Sequence, residues 1–291
     1  MFSGAMPAII TPFREGQIDA QALERLVEFQ ITAGVSAIVP CGSTGESATL
    51  THHEHVEAVQ LVVRFARGRV PVIAGTGSNS TAEAISLTLA AKEAGATAAL
   101  LISPYYNKPT QEGIYEHYKS IASATHFPLI VYNIPGRTAS KIEAPTLARL
   151  AQIDEIIGLK EATGLLDEVQ EVVRLCGDTL EIYSGDDSLT LPIMAVGGVG
   201  GISVVANILP RETTAMLAAC ADGDWATARR LHYRMLPLIR ALFLETNPVP
   251  VKAALAMMGY CRDELRLPLL PMTEAPRARL RAVMQEFGLL T

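Results

Sequence analysis

Eight short apolar runs punctuate the chain as far as residue 204: Met6–Ile10, Ala37–Pro40, Pro71–Ala74, Ala98–Ile102, Leu129–Tyr132, Ile156–Lys160, Glu181–Ser184 and Gly200–Val204. Several are apolar at successive positions rather than at alternate ones, the pattern of parallel strands covered on both faces. Between the runs the period lengthens to that of helices. Ala20–Ala33, His52–Arg67, Ala82–Ala94, Gln111–Ala124, Ala144–Ala151, Leu165–Cys176, Ser188–Val196 and Pro210–Ala221 place apolar residues three and four apart. Eight strand-then-helix units predict an α/β fold, a (β/α)8 TIM barrel over residues 1–222, with an open doubly wound sheet as the competing arrangement. No G-x-G-x-x-G follows the first run, so the dinucleotide-binding form of that competitor loses its support. Beyond Asp222 the strand signals stop. Trp225–Glu245, Val249–Met258 and Glu274–Phe287 predict a C-terminal all-helical appendage over 223–291.

Composition narrows the function classes. With 49% hydrophobic and 19% charged residues the chain is globular rather than disordered. A net charge of −6 argues against nucleic-acid binding by bulk electrostatics, although it allows a local basic pocket for a small anion. Cys41, Cys176, Cys220 and Cys261 form no CxxC pair and predict neither a zinc site nor a disulfide framework. The uncharged stretch Ser188–Pro210 contains Pro192, Gly197, Gly198, Gly200, Gly201 and Asn207, which would break a membrane helix. Two buried elements joined by a glycine turn fit it better. No basic residue precedes the first apolar stretch, as a secretory signal would require, so a cytoplasmic location is expected.

In a parallel barrel the chemistry collects at the C-terminal ends of the strands. The second run opens into Cys41-Gly42-Ser43-Thr44-Gly45-Glu46, a turn able to offer hydroxyls and backbone N–H groups to a carboxylate, or simply a tight turn. The fourth ends at Pro104-Tyr105-Tyr106-Asn107 and the fifth at Tyr132-Asn133-Ile134-Pro135-Gly136-Arg137, a phenol for proton transfer followed by a guanidinium for an anion. The sixth closes on Lys160. Lysine is rarely buried, and burial disfavours the ammonium, leaving the neutral amine that Schiff-base chemistry with a carbonyl requires. The alternative is a buried stem with its head in solvent. Thr51-His52-His53-Glu54-His55 is rich in imidazole but lacks the H-E-x-x-H spacing and an evident third ligand, so no metal site is expected there.

Gly42-Ser43-Thr44-Gly45-Glu46, Tyr132…Arg137 and Gly158-Leu159-Lys160-Glu161-Ala162-Thr163 resemble the class I aldolase superfamily of dihydrodipicolinate synthase and N-acetylneuraminate lyase. The likeness spans the chain, including Tyr183-Ser184-Gly185-Asp186-Asp187 and Asn247-Pro248-Val249-Pro250-Val251-Lys252, and favours the synthase branch. It implies condensation of pyruvate with L-aspartate 4-semialdehyde, a step in lysine and diaminopimelate biosynthesis, without metal or organic cofactor. Lys160 would form the pyruvate imine, and Tyr132 would relay protons with Ser43 and with Tyr106, the latter crossing a tight dimer interface. Thr44 and the backbone near Ile202 would hold the pyruvate carboxylate, Arg137 the carboxylate of the aldehyde, with Gly185 also in the substrate site. A homo-oligomer, as a dimer of dimers, is implied.

Ser43 departs from the threonine usual in the synthase branch and keeps the hydroxyl without the methyl that restricts its rotamer. Resemblance to feedback-inhibited members also implies an allosteric lysine site from Ser47, Ala48, His52, His55, Asn79, Glu83 and Tyr105. The competing activity is another pyruvate-dependent aldolase, cleaving a 2-keto-3-deoxy sugar acid or a sialic acid, for which a guanidinium at position 137 has less use. A non-catalytic homologue would be expected to lack Lys160 or Tyr132, and both are present.

Overall fold

A computed structural model describes residues 2–177 and 179–290. Seven parallel strands, β1 (Gly4–Pro7), β4 (Ile73–Gly75), β5 (Ala98–Ile102), β6 (Leu129–Asn133), β7 (Ile156–Glu161), β8 (Glu181–Ser184) and β9 (Gly200–Ser203), form one sheet in the order β1-β9-β8-β7-β6-β5-β4. The sheet curls until both edges meet the same segment. Within residues 37–40, Val39 bridges Ala8 beside β1, and Ile38 bridges Val72 beside β4, both in parallel sense. Val39 N donates to Pro7 O at 2.9 Å and Ile73 N to Ile38 O at 2.9 Å.

The unbroken apolar runs have the expected cause. Along β6, Leu129 and Val131 point to the helices, while Ile130 and Tyr132 point inward with Met6, Ala8, Val39, Ile73, Leu100, Tyr183 and Ile202. Both faces are covered, so neither tolerates a polar residue without a purpose. Helices α1 (Ala20–Thr32), α2 (His52–Ala66), α3 (Thr81–Glu93), α4 (Gln111–Thr125), α6 (Ala144–Leu150), α7 (Leu166–Cys176), α8 (Thr190–Ala195) and α9 (Pro210–Ala221) alternate with the strands. Several start on side-chain caps: Asp19, Ser80 and Thr110 each accept a backbone N–H three residues on, and Thr51 with Glu54 forms a reciprocal capping box. Such caps contribute about 1 kcal/mol each.

Three more helices, α10 (Trp225–Ala241), α11 (Val249–Met257) and α12 (Glu274–Phe287), follow. They share one apolar cluster with Ala5, Ile10, Leu26, Val205 and Met216, so their apolar faces are buried against the sheet-bearing part of the chain.

The stretch Ser188–Pro210 resolves into α8, β9 and a short 3-10 turn over Val205–Asn207, and no helix among the described residues is long and apolar enough to cross a membrane. The glycine cluster inside it serves close packing. A Cβ on Gly200 would lie 2.5 Å from the carbonyl oxygen of Gly4 on the neighbouring strand.

A short hairpin and a four-residue helix carry too little sequence signal to be foreseen. A hairpin of β2 (Phe13–Arg14) and β3 (Gln17–Ile18) turns through Glu15 and Gly16, both at positive φ. The four-residue helix α5 (Pro135–Thr138) is too short to show a period. α10 ends at Ala241, not at Glu245.

Candidate active site

Lys160 sits near the C-terminal end of β7, in register with Tyr132 on β6 and Tyr183 on β8. The residue is 5% exposed, so the alternative of a solvent-seeking head does not hold. Nζ lies 4.1 Å from the centroid of the Tyr132 ring, and among the described residues no carboxylate is within ion-pairing distance. Burial brings its pKa down to about 7, with the Asp187 carboxylate pulling it upward and the Arg137 guanidinium pushing it further down. The amine is therefore substantially neutral at neutral pH. Burial also raises the Tyr132 phenol well above its ordinary pKa, keeping it protonated. Gly185 makes space for the lysine: a Cβ there would meet both Cγ and Cε of Lys160 at 3.0 Å.

Asp187 had no role assigned from sequence beyond its place in a motif. Its buried Oδ2 accepts from Val204 N at 2.9 Å and Val205 N at 2.7 Å, which ties the β8 loop to the chain just beyond β9. Ile202 lies on that strand, opposite Met6.

The turn from Gly42 to Glu46 faces this group from the segment beside β1. Thr44 is buried, and its Oγ1 accepts from Asn247 Nδ2 at 3.0 Å. Thr11 Oγ1 donates to the carbonyl of Gly45 at 2.7 Å. Arg137, carried by α5, donates to the carbonyl of Asn247 at 3.0 Å. Asn247 thus joins the threonine of one loop to the arginine of another. In the sequence Asn247 stands out only as part of a motif, because nothing in one chain of letters shows that residues about 200 positions apart meet.

Ser43, Tyr132, Arg137 and Asn247 line one cavity of about 440 Å³. The same cavity is lined by Ser47, Ala48, His52, His55, Glu83 and Tyr105, six of the seven residues expected to form an effector site. The seventh, Asn79, is tied to them by a bond from its Nδ2 to the carbonyl of Tyr105 at 3.2 Å. His52 Nε2 is 2.6 Å from Glu83 Oε1, and Ser78 donates to the other Glu83 oxygen. The Ser78 bond, then the His52 bond, hold the Glu83 carboxyl below the usual range, and burial lowers the His55 imidazole. Among the described residues no cluster of three or more histidine, cysteine or acidic side chains is placed to bind a metal. Tyr106 is the one catalytic candidate the chain does not bring to the site: it is 88% exposed, on a backbone at φ +71°.

The sequence profile of the dihydrodipicolinate synthetase family matches residues 1–287. The 4-hydroxy-tetrahydrodipicolinate synthase of Syntrophobacter fumaroxidans is 56% identical over 291 residues, the whole of both chains. Among solved structures, the chloride-inhibited dihydrodipicolinate synthase of Acinetobacter baumannii, complexed with pyruvate, superposes with a TM-score of 0.98 at 44% identity over 100% of each chain. The synthase of Cyanidioschyzon merolae with lysine bound gives a TM-score of 0.96 at 40% identity over 99% of each.

Proposed function

The chain belongs to the dihydrodipicolinate synthetase family, and we propose that it condenses pyruvate with L-aspartate 4-semialdehyde to 4-hydroxy-tetrahydrodipicolinate through an imine on Lys160. The observation that carries this reading is a buried lysine with a pKa near 7, its Nζ over the face of a protonated tyrosine. The neutral amine attacks the ketone carbon of pyruvate, and loss of water gives the imine. Loss of a methyl proton then gives the enamine, with the protonated lysine nitrogen as the electron sink, so neither metal nor organic cofactor is required. The enamine carbon attacks the aldehyde, whose oxygen takes up a proton. The amine of the same substrate closes on the former ketone carbon and releases Lys160.

The remaining roles belong to the same proposal. Tyr132 moves protons at the carbinolamine and at the new alkoxide, in a relay with Ser43 and with Tyr106 of a second subunit. An exposed tyrosine on a positive-φ backbone suits a residue that completes a neighbour's site, in a homo-oligomer built as a dimer of dimers. Thr44 and the backbone at Ile202 hold the pyruvate carboxylate, Gly185 admits the imine-forming side chain, and Arg137 holds the carboxylate of the aldehyde. Residues 37–40 supply the second strand of an eight-stranded (β/α)8 barrel over 1–222, with 223–291 as the helical appendage, and the enzyme works in the cytoplasm.

A direct rate comparison tests the assignment. Condensation of the two substrates should be fast, while cleavage of N-acetylneuraminate should be at background. The opposite ranking would transfer the chain to the sugar-acid aldolases.

The residues from Ser47 to Tyr105 that share the cavity with Tyr132 form an effector site for lysine, the Glu83 carboxylate pairing with an amine of the effector. Millimolar L-lysine should lower the condensation rate, and Glu83→Gln should blunt that inhibition more than it lowers the uninhibited rate. Full activity of the parent enzyme at that concentration would remove the site.

A further inference from the structure

Two deeply buried charges lie directly behind the pyruvate turn. Lys252 on α11 and Glu46 at the end of the Gly42–Glu46 turn form an ion pair with side chains 0% and 1% exposed. The second Glu46 oxygen accepts from Arg266 N at 3.1 Å, and Lys252 Nζ also donates to the carbonyl of Glu264 at 2.9 Å. The Phe13 ring contacts both cations, its centroid 4.3 Å from Lys252 Nζ and 4.4 Å from the Arg266 guanidinium carbon. Arg266 itself pairs with Glu54.

Stability is a weak explanation for such a pair. Removing both charges from water is costly, and apolar residues of equal volume commonly serve a core as well or better. Position explains it. Glu46 is held at φ +55°, a strained conformation for a side chain of its kind, and its backbone N–H closes the turn by donating to Ser43 O at 3.2 Å. The turn carries Ser43 and Thr44. The same C-terminal stretch touches it twice: Asn247, just before α11, holds Thr44 Oγ1, and Lys252, within α11, holds Glu46.

We propose that Glu46 and Lys252 are a positioning pair, anchoring the turn to α11 so that Thr44 meets the pyruvate carboxylate in one fixed orientation. The proposal rests on the pyruvate role given to Thr44 above. Arg137 belongs to a different loop and makes no hydrogen bond or ion pair with either residue of the pair; its one link to the same stretch is the backbone carbonyl of Asn247, which the substitutions below leave in place, so binding of the aldehyde should respond far less than binding of pyruvate.

The double substitution Glu46→Gln with Lys252→Met removes both charges and leaves no lone buried ion. In the folded double variant the KM for pyruvate should rise about tenfold or more, in keeping with the cost of shifting a positioned group by about 1 Å. The KM for the aldehyde should stay within about twofold. Glu46→Gln alone, which keeps the shape but leaves the Lys252 ammonium buried without a counter-charge, should raise the pyruvate KM in the same direction and melt below the double variant. Both variants are melted, and pyruvate is trapped on the parent with borohydride in parallel. Absence of an adduct on the parent overturns the underlying assignment of Lys160. An adduct on the parent together with unchanged pyruvate KM in a cooperatively melting variant overturns the positioning role. So does a parallel rise in both KM values, or failure of both variants to fold, since each would mark the pair as a determinant of folding alone.

Discussion

Lys160→Ala will lose condensation activity by on the order of 10⁴-fold or more, because no other buried amine is placed to form the imine and the covalent route disappears with it. Lys252, the other fully buried lysine, is already held by Glu46 and by the carbonyl of Glu264. The loss should come without loss of stability, which separates a catalytic lysine from a structural one. The folded pKa of Lys160, about 7, lies below its unfolded value. Between those two values the unfolded chain holds a proton that the native chain has released, so the contribution of this group to stability rises with pH across that window. Below pH 7 the buried ammonium carries its full cost. Lys160→Met, which fills the same space without a charge, should therefore melt above the parent at pH 6, and its advantage should shrink as the pH approaches 10. A variant that melts lower at both pH values would show the amine to be a structural partner.

Tyr132→Phe should lower kcat by about 10²- to 10³-fold, the range for loss of a positioned proton donor. The Tyr132 hydroxyl makes no hydrogen bond to another described residue, so phenylalanine keeps the ring against the inner cluster and the melting temperature should hold. Imine formation and carbon–carbon bond formation both need a proton moved, so the slowing should appear in pyruvate trapping as well as in turnover. Turnover within about threefold of the parent would place the relay on Ser43 and Tyr106 instead.

Local order was well written in the sequence. The strands Ala98–Ile102 and Glu181–Ser184 and the helix Pro210–Ala221 stand at the residues their patterns indicate, because each combines a clear period with a stop signal at its end. The facing of Lys160 was legible for a related reason. A lysine closing an unbroken apolar run has both strand faces covered, and the inward row of Ile130, Tyr132 and Tyr183 beside it supplies the low-polarity surroundings that depress its pKa.

What stayed hidden depends on contacts distant in sequence. The hairpin at Glu15 and Gly16 is held by the Glu264 carboxylate, which accepts from Glu15 N at 3.0 Å and Gly16 N at 2.6 Å. Its two strands are too short to show alternation. Asn247 and Lys252 reach the Gly42–Glu46 turn across about 200 residues, and no periodicity encodes that meeting. Asp187 was visible only as one acid beside another. That it, rather than Asp186, is buried and bonded to Val204 and Val205 emerges from how the β8 loop closes.

Treatment of the enzyme with pyruvate and borohydride, followed by mapping of the modified peptide, shows whether the imine forms on Lys160. The expected product is one reduced pyruvyl group on the peptide carrying Lys160, formed faster as the pH rises through 7, and absent from Lys160→Ala. No adduct, or an adduct on another lysine with Lys160 unmodified, would contradict it.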